Sequence, residues 1–318
     1  MTTPPLVLDD AAVATALRTI NVRSELATMF AALANERAIQ PPQTLTLFPD
    51  GTGDFITYLG ALADRAVFGT KLSPYLPYGT GALVTAWTLL MSMETGEPLL
   101  LCDAKRLTTE RTAGTTALAV DLLAAPDAQS LTVIGTGPIG LAHLRHVEPV
   151  RGWTKVTLCS PSAAGKLNLP GMLESGCPVI VGTDPADAVA GADVVLLCTS
   201  SSAPVIDINK TKADALITSI STNAVDAHEI DPSMLAGMDV YCDYALTAPL
   251  SAGEMKLAIA RGIWSAGALR GDLPDLTVGR APRPTVGRRS FFRSIGLGLE
   301  DVALADAVRR AIVEEAKS

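Results

Sequence analysis

Three glycines, Gly135, Gly137 and Gly140, stand at the spacing G-x-G-x-x-G. A β-branched apolar run at 131–134 leads into them and an apolar-periodic segment leads out, so the order reads strand, tight turn, helix. In such a turn the first glycine permits the bend, the second lets backbone approach a pyrophosphate, and the third lets helix and strand pack closely. The helix N-terminus then offers N–H groups to phosphate. Pro138 suits the first turn of that helix, where its missing N–H removes no bond. Gly135, Thr136, Gly137, Pro138, Ile139 and Gly140 therefore form a candidate dinucleotide site.

The adenosine side of such a ligand is read at the end of the next strand, in residues 158–166. A carboxylate there suits a ribose 2′-hydroxyl and repels a 2′-phosphate. None occurs in 157–168, whereas Ser160, Ser162 and Lys166 can donate to a phosphate. That turn favours NADP(H), with NAD(H) as the alternative.

Acid–base candidates elsewhere are few. His143 and His146 lie along the helix after Gly140 and read as packing or surface residues, and His228 reads as a loop residue past a polar turn. The patterns H-E-x-x-H, G-x-S-x-G and G-x-x-x-x-G-K-[ST] are absent, so metalloprotease, serine hydrolase and P-loop readings have no support. Five cysteines (Cys102, Cys159, Cys177, Cys198 and Cys242) are scattered without a C-x-x-C pair. They read as reduced core residues, and no metal site is expected.

What must position the glycine turn is a parallel sheet. From 131 onward, short apolar strands at 131–135, 155–159, 179–181, 193–198, 215–220 and 238–242 alternate with helices, among them 184–190, 251–261 and a final one at 299–316. Such βαβ alternation indicates a doubly wound parallel sheet covered on both faces. The first ~105 residues differ in kind. Asp9 and Asp10 cap a predicted helix over 11–38, stopped by Pro41 and Pro42, and strands follow at 44–48, 55–59, 67–72, 83–93 and 98–102, with hairpin turns at 49–53 and 94–96. A further helix is expected over 107–125. The fold class is thus α/β, a Rossmann sheet joined to a second α+β domain.

At 318 residues the chain exceeds the roughly 250 to 300 residues at which single cores stop growing. The net charge of −8 argues against nucleic acid, because phosphate binding needs a basic face. Arg280, Arg283, Arg288, Arg289 and Arg293 cluster in sequence, and read as a solvated or internally paired loop. No uninterrupted apolar run reaches the ~18 residues of a membrane span, and the first residues lack the charged and apolar regions of a secretory signal. A cytoplasmic protein is expected.

Several segments together resemble the ornithine cyclodeaminase and mu-crystallin superfamily, which also includes ketimine reductases and an archaeal type of alanine dehydrogenase. They are Phe-Gly-Thr-Lys-Leu at 68–72, Glu-Thr-Gly-Glu-Pro-Leu at 94–99, Leu-Thr-Thr-Glu-Arg-Thr-Ala-Gly at 107–114 and the glycine turn. Ala-Asp-Val-Val-Leu-Leu-Cys-Thr-Ser-Ser at 192–201, Ala-His-Glu-Ile-Asp-Pro at 227–232 and Phe-Arg-Ser-Ile-Gly-Leu-Gly-Leu-Glu-Asp at 292–301 complete the set. The resemblance implies a substrate-binding and dimerisation domain from 1–115 with 296–318, a Rossmann domain at 116–295, and a homodimer. It implies that Lys71 is the active-site lysine, that Arg111 serves substrate carboxylate and cofactor, and that Thr112 accompanies it at the cofactor phosphates. Thr85, Thr199, Ser200, Ser221 and Ser294 are further cofactor contacts by the same resemblance. Such cations suit an amino or imino acid, whose carboxylate an arginine grips with a fixed bidentate fork.

Two departures choose among the activities. Many members have Pro-x-Arg for the substrate carboxylate where this chain has Pro41, Pro42 and Gln43, and a catalytic aspartate where it has Asn223. An amide cannot take up and return a proton as a carboxylate does. The site is therefore expected to lack an acidic side chain. Oxidative deamination with cyclisation needs such transfers, whereas reducing a preformed imine needs one proton and one hydride. The reading favoured by the sequence is an NAD(P)H-dependent imine reductase acting on Δ1-pyrroline-2-carboxylate or Δ1-piperideine-2-carboxylate, with Lys71, Arg111 and Asn223 catalytic and Gln43 beside the substrate. The alternatives are a cyclodeaminase, an amino-acid dehydrogenase, or a nucleotide-dependent binding protein without turnover.

Overall fold

A computed structural model of the protein describes residues 4–78, 81–166, 168–222 and 225–317. The chain divides into two compact units, Met1–Arg111 with Gly296–Ser318, and Thr112–Ile295.

The first unit is built on an eight-stranded sheet: β1 (Leu6–Leu8), β2 (Ala38–Ile39), β3 (Thr44–Leu47), β4 (Asp54–Leu62), β5 (Val67–Tyr78), β6 (Gly81–Val84), β7 (Trp87–Ser92) and β8 (Pro98–Asp103). Its order is β1-β8-β7-β5-β4-β2, with β3 also on β4 and β6 also on β5. Every pair is antiparallel except β1 with β8. Strand alternation sends Val67, Gly69 and Lys71 of β5 to the buried face and Phe68 and Leu72 to the other. The C-terminal helix, Gly298–Glu315, packs along β4, β5, β7 and β8, with Leu299, Val302, Leu304 and Val308 wholly buried. The helix expected over 11–38 is two, Asp10–Leu17 and Val22–Ala34. The Asn21 side chain accepts from the Ser24 N–H at 3.1 Å and starts the second afresh. The strand expected over 83–93 is likewise two, since the chain leaves β6 before Ala86, whose carbonyl accepts from the Ala104 N–H.

The second unit holds β9 (Ser130–Ile134), β10 (Lys155–Cys159), β11 (Val179–Gly182), β12 (Val194–Leu197), β13 (Leu216–Ser219), β14 (Asp239–Cys242), β15 (Gly271–Asp272) and β16 (Ser290–Arg293), all parallel. The order β11-β10-β9-β12-β13-β16-β14-β15 reverses direction between β9 and β12. At such a switch point, beyond the carboxyl ends of the strands, doubly wound sheets bind their ligands. Strands buried on both faces read as near-continuous apolar runs, as 194–197 and 131–134 do. β16 is a strand that lies inside the segment expected to be an arginine-rich loop. The helix expected over 107–125 runs Lys105–Leu123, and the boundary between units falls inside it, at 111/112.

Candidate active site

Lys71 sits mid-strand on the buried face of β5, opposite Tyr58 of β4 and Thr88 of β7. Only 2% of it is exposed. Its Nζ lies 2.8 Å from Asp301 Oδ2, donates to Thr108 Oγ1 at 3.3 Å and stands 4.1 Å from the centre of the Tyr58 ring. Burial lowers its pKa to about 8, against the raising effect of Asp301. An ammonium so placed can give up a proton near neutral pH. Burial also raises the Tyr58 phenol above its ordinary value, partly offset by Arg111.

Arg111, on the helix Lys105–Leu123, is buried beside it. Its Nη1 donates to Glu300 Oε2 at 3.1 Å and its Nε to Asp301 Oδ1 at 3.4 Å. The two cations thus face two fully buried carboxylates on the first turn of the C-terminal helix. That turn is held by Gln40, whose Oε1 accepts from the Leu299 N–H at 2.9 Å. The preceding bend needs glycine: Gly296 has φ +79°, and a Cβ there would lie 2.1 Å from Arg111 Nη1. The expectation of a site without acidic side chains is therefore wrong. Glu300 and Asp301 end the segment at 292–301, but nothing local to that segment shows that it returns to Lys71 from 230 residues away.

In the second unit the glycine turn follows β9. Gly135 has φ +122°, a Cβ on it would sit 2.3 Å from the Cys198 carbonyl oxygen, and one on Gly140 would sit 2.0 Å from that of Gly135. The first and third glycines are thus demanded by packing. A Cβ on Gly137 meets nothing within 4 Å, and Gly137, which has no side chain to offer the helix's first N–H groups, caps the helix Pro138–Val147. This open approach to a helix N-terminus fits a dinucleotide pyrophosphate. Thr136 Oγ1 lies 2.7 Å from Ser160 Oγ, and Lys166 Nζ donates to Thr136 Oγ1 at 2.7 Å and to its carbonyl at 2.9 Å. Ser162 Oγ is 3.4 Å from Ser160 Oγ. These residues form one donor-rich turn.

Thr199 and Ser200 follow β12, Ser221 follows β13, and buried Ser294 follows β16 with its Oγ donating to Asp243 at 3.1 Å. Thr112 and Thr85 are half-buried, while Gln43 is an exposed loop residue before β3. Asn223 lies outside the described residues. His143 is buried, with Nδ1 2.7 Å from the Ile139 carbonyl and Nε2 3.0 Å from Thr116 Oγ1; burial lowers its pKa to about 4. His228 is a half-buried loop residue with Nδ1 2.8 Å from the Asp226 carbonyl. All five cysteines are free and buried, and burial pushes the Cys102 thiol up to about 12. Of the arginine cluster, Arg288 pairs with Asp239 and Arg293 with Glu254. Among the described residues no group of acids, histidines and cysteines could hold a metal ion, and no helix is long and apolar enough to cross a membrane.

The ornithine cyclodeaminase/mu-crystallin family model matches residues 3–316. A relative 51% identical over 314 residues, covering 96% of this chain and 97% of its own, is the NAD(P)H-dependent anabolic L-arginine dehydrogenase of Pseudomonas aeruginosa. The Δ1-pyrroline-2-carboxylate reductase of Colwellia psychrerythraea is 28% identical over 228 residues, 69% of this chain and 71% of its own. Among solved structures, the Thermococcus litoralis Δ1-pyrroline-2-carboxylate reductase with NADH and L-proline superposes with a TM-score of 0.89, at 21% identity and 98% coverage of both chains.

Proposed function

The chain belongs to the ornithine cyclodeaminase/mu-crystallin family, and on that footing we propose that it is an NAD(P)H-dependent oxidoreductase that reduces a 2-imino acid to the L-amino acid, with the imino acid of arginine as its substrate. The arginine assignment rests on the similarity to the Pseudomonas enzyme over nearly the whole of both chains. The reaction type rests on the buried cluster of Lys71, Arg111 and Asp301. It revises the ring-shaped substrate expected from the sequence to an open-chain one.

Reduced nicotinamide supplies the hydride that C2 of the imino acid accepts. The glycine turn and the donors Ser160, Ser162 and Lys166 hold the dinucleotide, which is NADP(H) in this reading. Arg111 grips the substrate carboxylate with its fork, and Lys71 adds a second charge. As C=N becomes CH–NH, the nitrogen takes one proton, which the Lys71 ammonium gives up. Asp301 holds that ammonium in place. Should the imine form on the protein from a 2-keto acid and ammonia, the same pair moves the protons that loss of water requires. Two fixed cations also stabilise charge that shifts toward the carboxylate. The protein acts as a homodimer.

A second reading, reduction of a cyclic imino acid, is favoured by the amide at position 223 and by the Colwellia relative. The two separate in one assay of NADPH and NADH oxidation. Purified protein is given the guanidino 2-keto acid of arginine plus ammonia, and separately each cyclic imino acid and pyruvate plus ammonia. The guanidino acid is expected to give the highest kcat/KM, and L-arginine with the oxidised cofactor to run the reaction backwards. Faster turnover of either ring would transfer the assignment to the cyclic substrate, and ammonia release from ornithine with cyclisation would overturn both.

A further inference from the structure

We propose that Glu229 is a positioning residue for the nicotinamide end of the cofactor, acting by locking together the two loops that follow β12 and β13. The inference rests on the cofactor reading above and goes beyond it in naming what holds that end of the site.

Glu229 is fully buried and lies past β13, outside any regular strand or helix. Its Oε1 accepts from the Thr199 backbone N–H at 2.9 Å and from Thr199 Oγ1 at 2.7 Å. Its Oε2 accepts from Ser219 Oγ at 2.8 Å and from the N–H groups of Ile220 at 3.2 Å and Ser221 at 3.3 Å. One carboxylate thus receives donors from two loops that leave the carboxyl ends of adjacent strands, and β12 adjoins β9, the strand that leads into the glycine turn.

The rest of Ser221 is pinned as firmly. Its Oγ donates to the Ser201 carbonyl at 2.7 Å, tying the loops a second time, and its own carbonyl accepts from the Arg293 guanidinium. Arg293 is in turn buried against Glu254, at 2.9 Å. Residues 199–201 and 219–221 therefore form one platform beyond the strand ends. The donor-rich turn of Ser160, Ser162 and Lys166 is bonded to Thr136 and takes no part in it.

The negative charge is what the arrangement uses. Three backbone N–H groups and two hydroxyls donate to the two oxygens, so an amide at this position would set its own N–H groups against at least one backbone N–H that cannot turn to accept. A buried donor left without an acceptor costs its full desolvation, and the loops would part to reach water.

The experiment compares two ligands on wild-type protein and E229Q by fluorescence and competition titration: NADPH, and 2′-phospho-ADP-ribose, which lacks only the nicotinamide. Glu229→Gln is expected to raise the Kd of NADPH by about tenfold or more, and to leave that of 2′-phospho-ADP-ribose unchanged. E229D, which keeps the charge on a shorter stem, is expected to fall between. If E229Q does not fold, Ser219→Ala removes one donor while keeping the carboxylate and is expected to weaken NADPH alone. Equal changes in both ligands, or no change in either, would overturn the proposal. A wild-type protein that does not bind NADPH would instead overturn the cofactor reading beneath it.

Discussion

Lys71 is faced by Asp301 and Glu300 from the C-terminal helix, by Arg111 and Thr108 from the helix Lys105–Leu123, and by Tyr58 from β4. With the ammonium as the acid of the proposed reduction, turnover is expected to fall as pH rises through its pKa of about 8. Asp301 is the chief group that raises this value. Asp301→Asn therefore moves the alkaline limb of kcat/KM to lower pH, by about one unit or more, and lowers kcat/KM at pH 7 by about tenfold to a hundredfold. A limb that stays in place would show that Asp301 does not govern Lys71. His143 carries the opposite kind of lesson, because its buried neutral ring resists protonation until about pH 4. The unfolded chain takes up that proton near pH 6.5, so stability is full above 6.5 and is lost as pH falls toward 4. Between pH 7 and pH 5 the loss is about 2 kcal/mol by linkage, and His143→Gln should remove that increment in denaturant titrations at the two pH values. At this scale the sequence disclosed residues whose meaning is local. Lys71 and Arg111 stand in recognisable local motifs, whereas no local pattern gives Asp301 or Glu229 a role, because each works only on partners that folding brings near.

Among the elements, the turn after β10 carries a cofactor choice that can be tested by itself. Lys166 lies over Thr136 of the glycine turn, where its ammonium can meet a 2′-phosphate. Lys166→Ala is expected to raise the KM for NADPH by about tenfold to a hundredfold and to leave that for NADH nearly unchanged; equal effects on both would remove this lysine from the phosphate. The glycine turn was legible because its spacing, its preceding strand and Pro138 agree on one local geometry. β16 was not. Ser290 to Arg293 is four residues long and ends in a charge, so it reads as loop, and Glu254 from a distant helix, with the carbonyls of Ser221 and Ser294, makes an arginine tolerable in a buried central strand. The split of the first helix turned on Asn21, a side chain that serves a helix interior poorly and a cap well.

For the whole molecule, the parallel order of the second unit followed from six short apolar runs separated by helices, a pattern that only a sheet covered on both faces explains. The first unit raises a question that its own residues answer. Its sheet is apolar on both faces, and the C-terminal helix covers one. On the other, neighbouring strands line up Phe68 with Met91, Leu72 with Trp87, and Val7 with Leu101. Val7 is 68% exposed, Leu72 44% and Trp87 41% in the single chain. Contiguous apolar surface of this kind is rare on a protein that stays alone in water, and a second copy offering the same surface can cover it about a twofold axis. In sedimentation velocity the wild type is therefore expected to run as twice its 33.0 kDa chain. Leu72→Glu sets two like charges near that axis and should shift the species to a single chain with unchanged circular dichroism. A wild type that sediments as one chain at micromolar concentration would leave this face to a different partner.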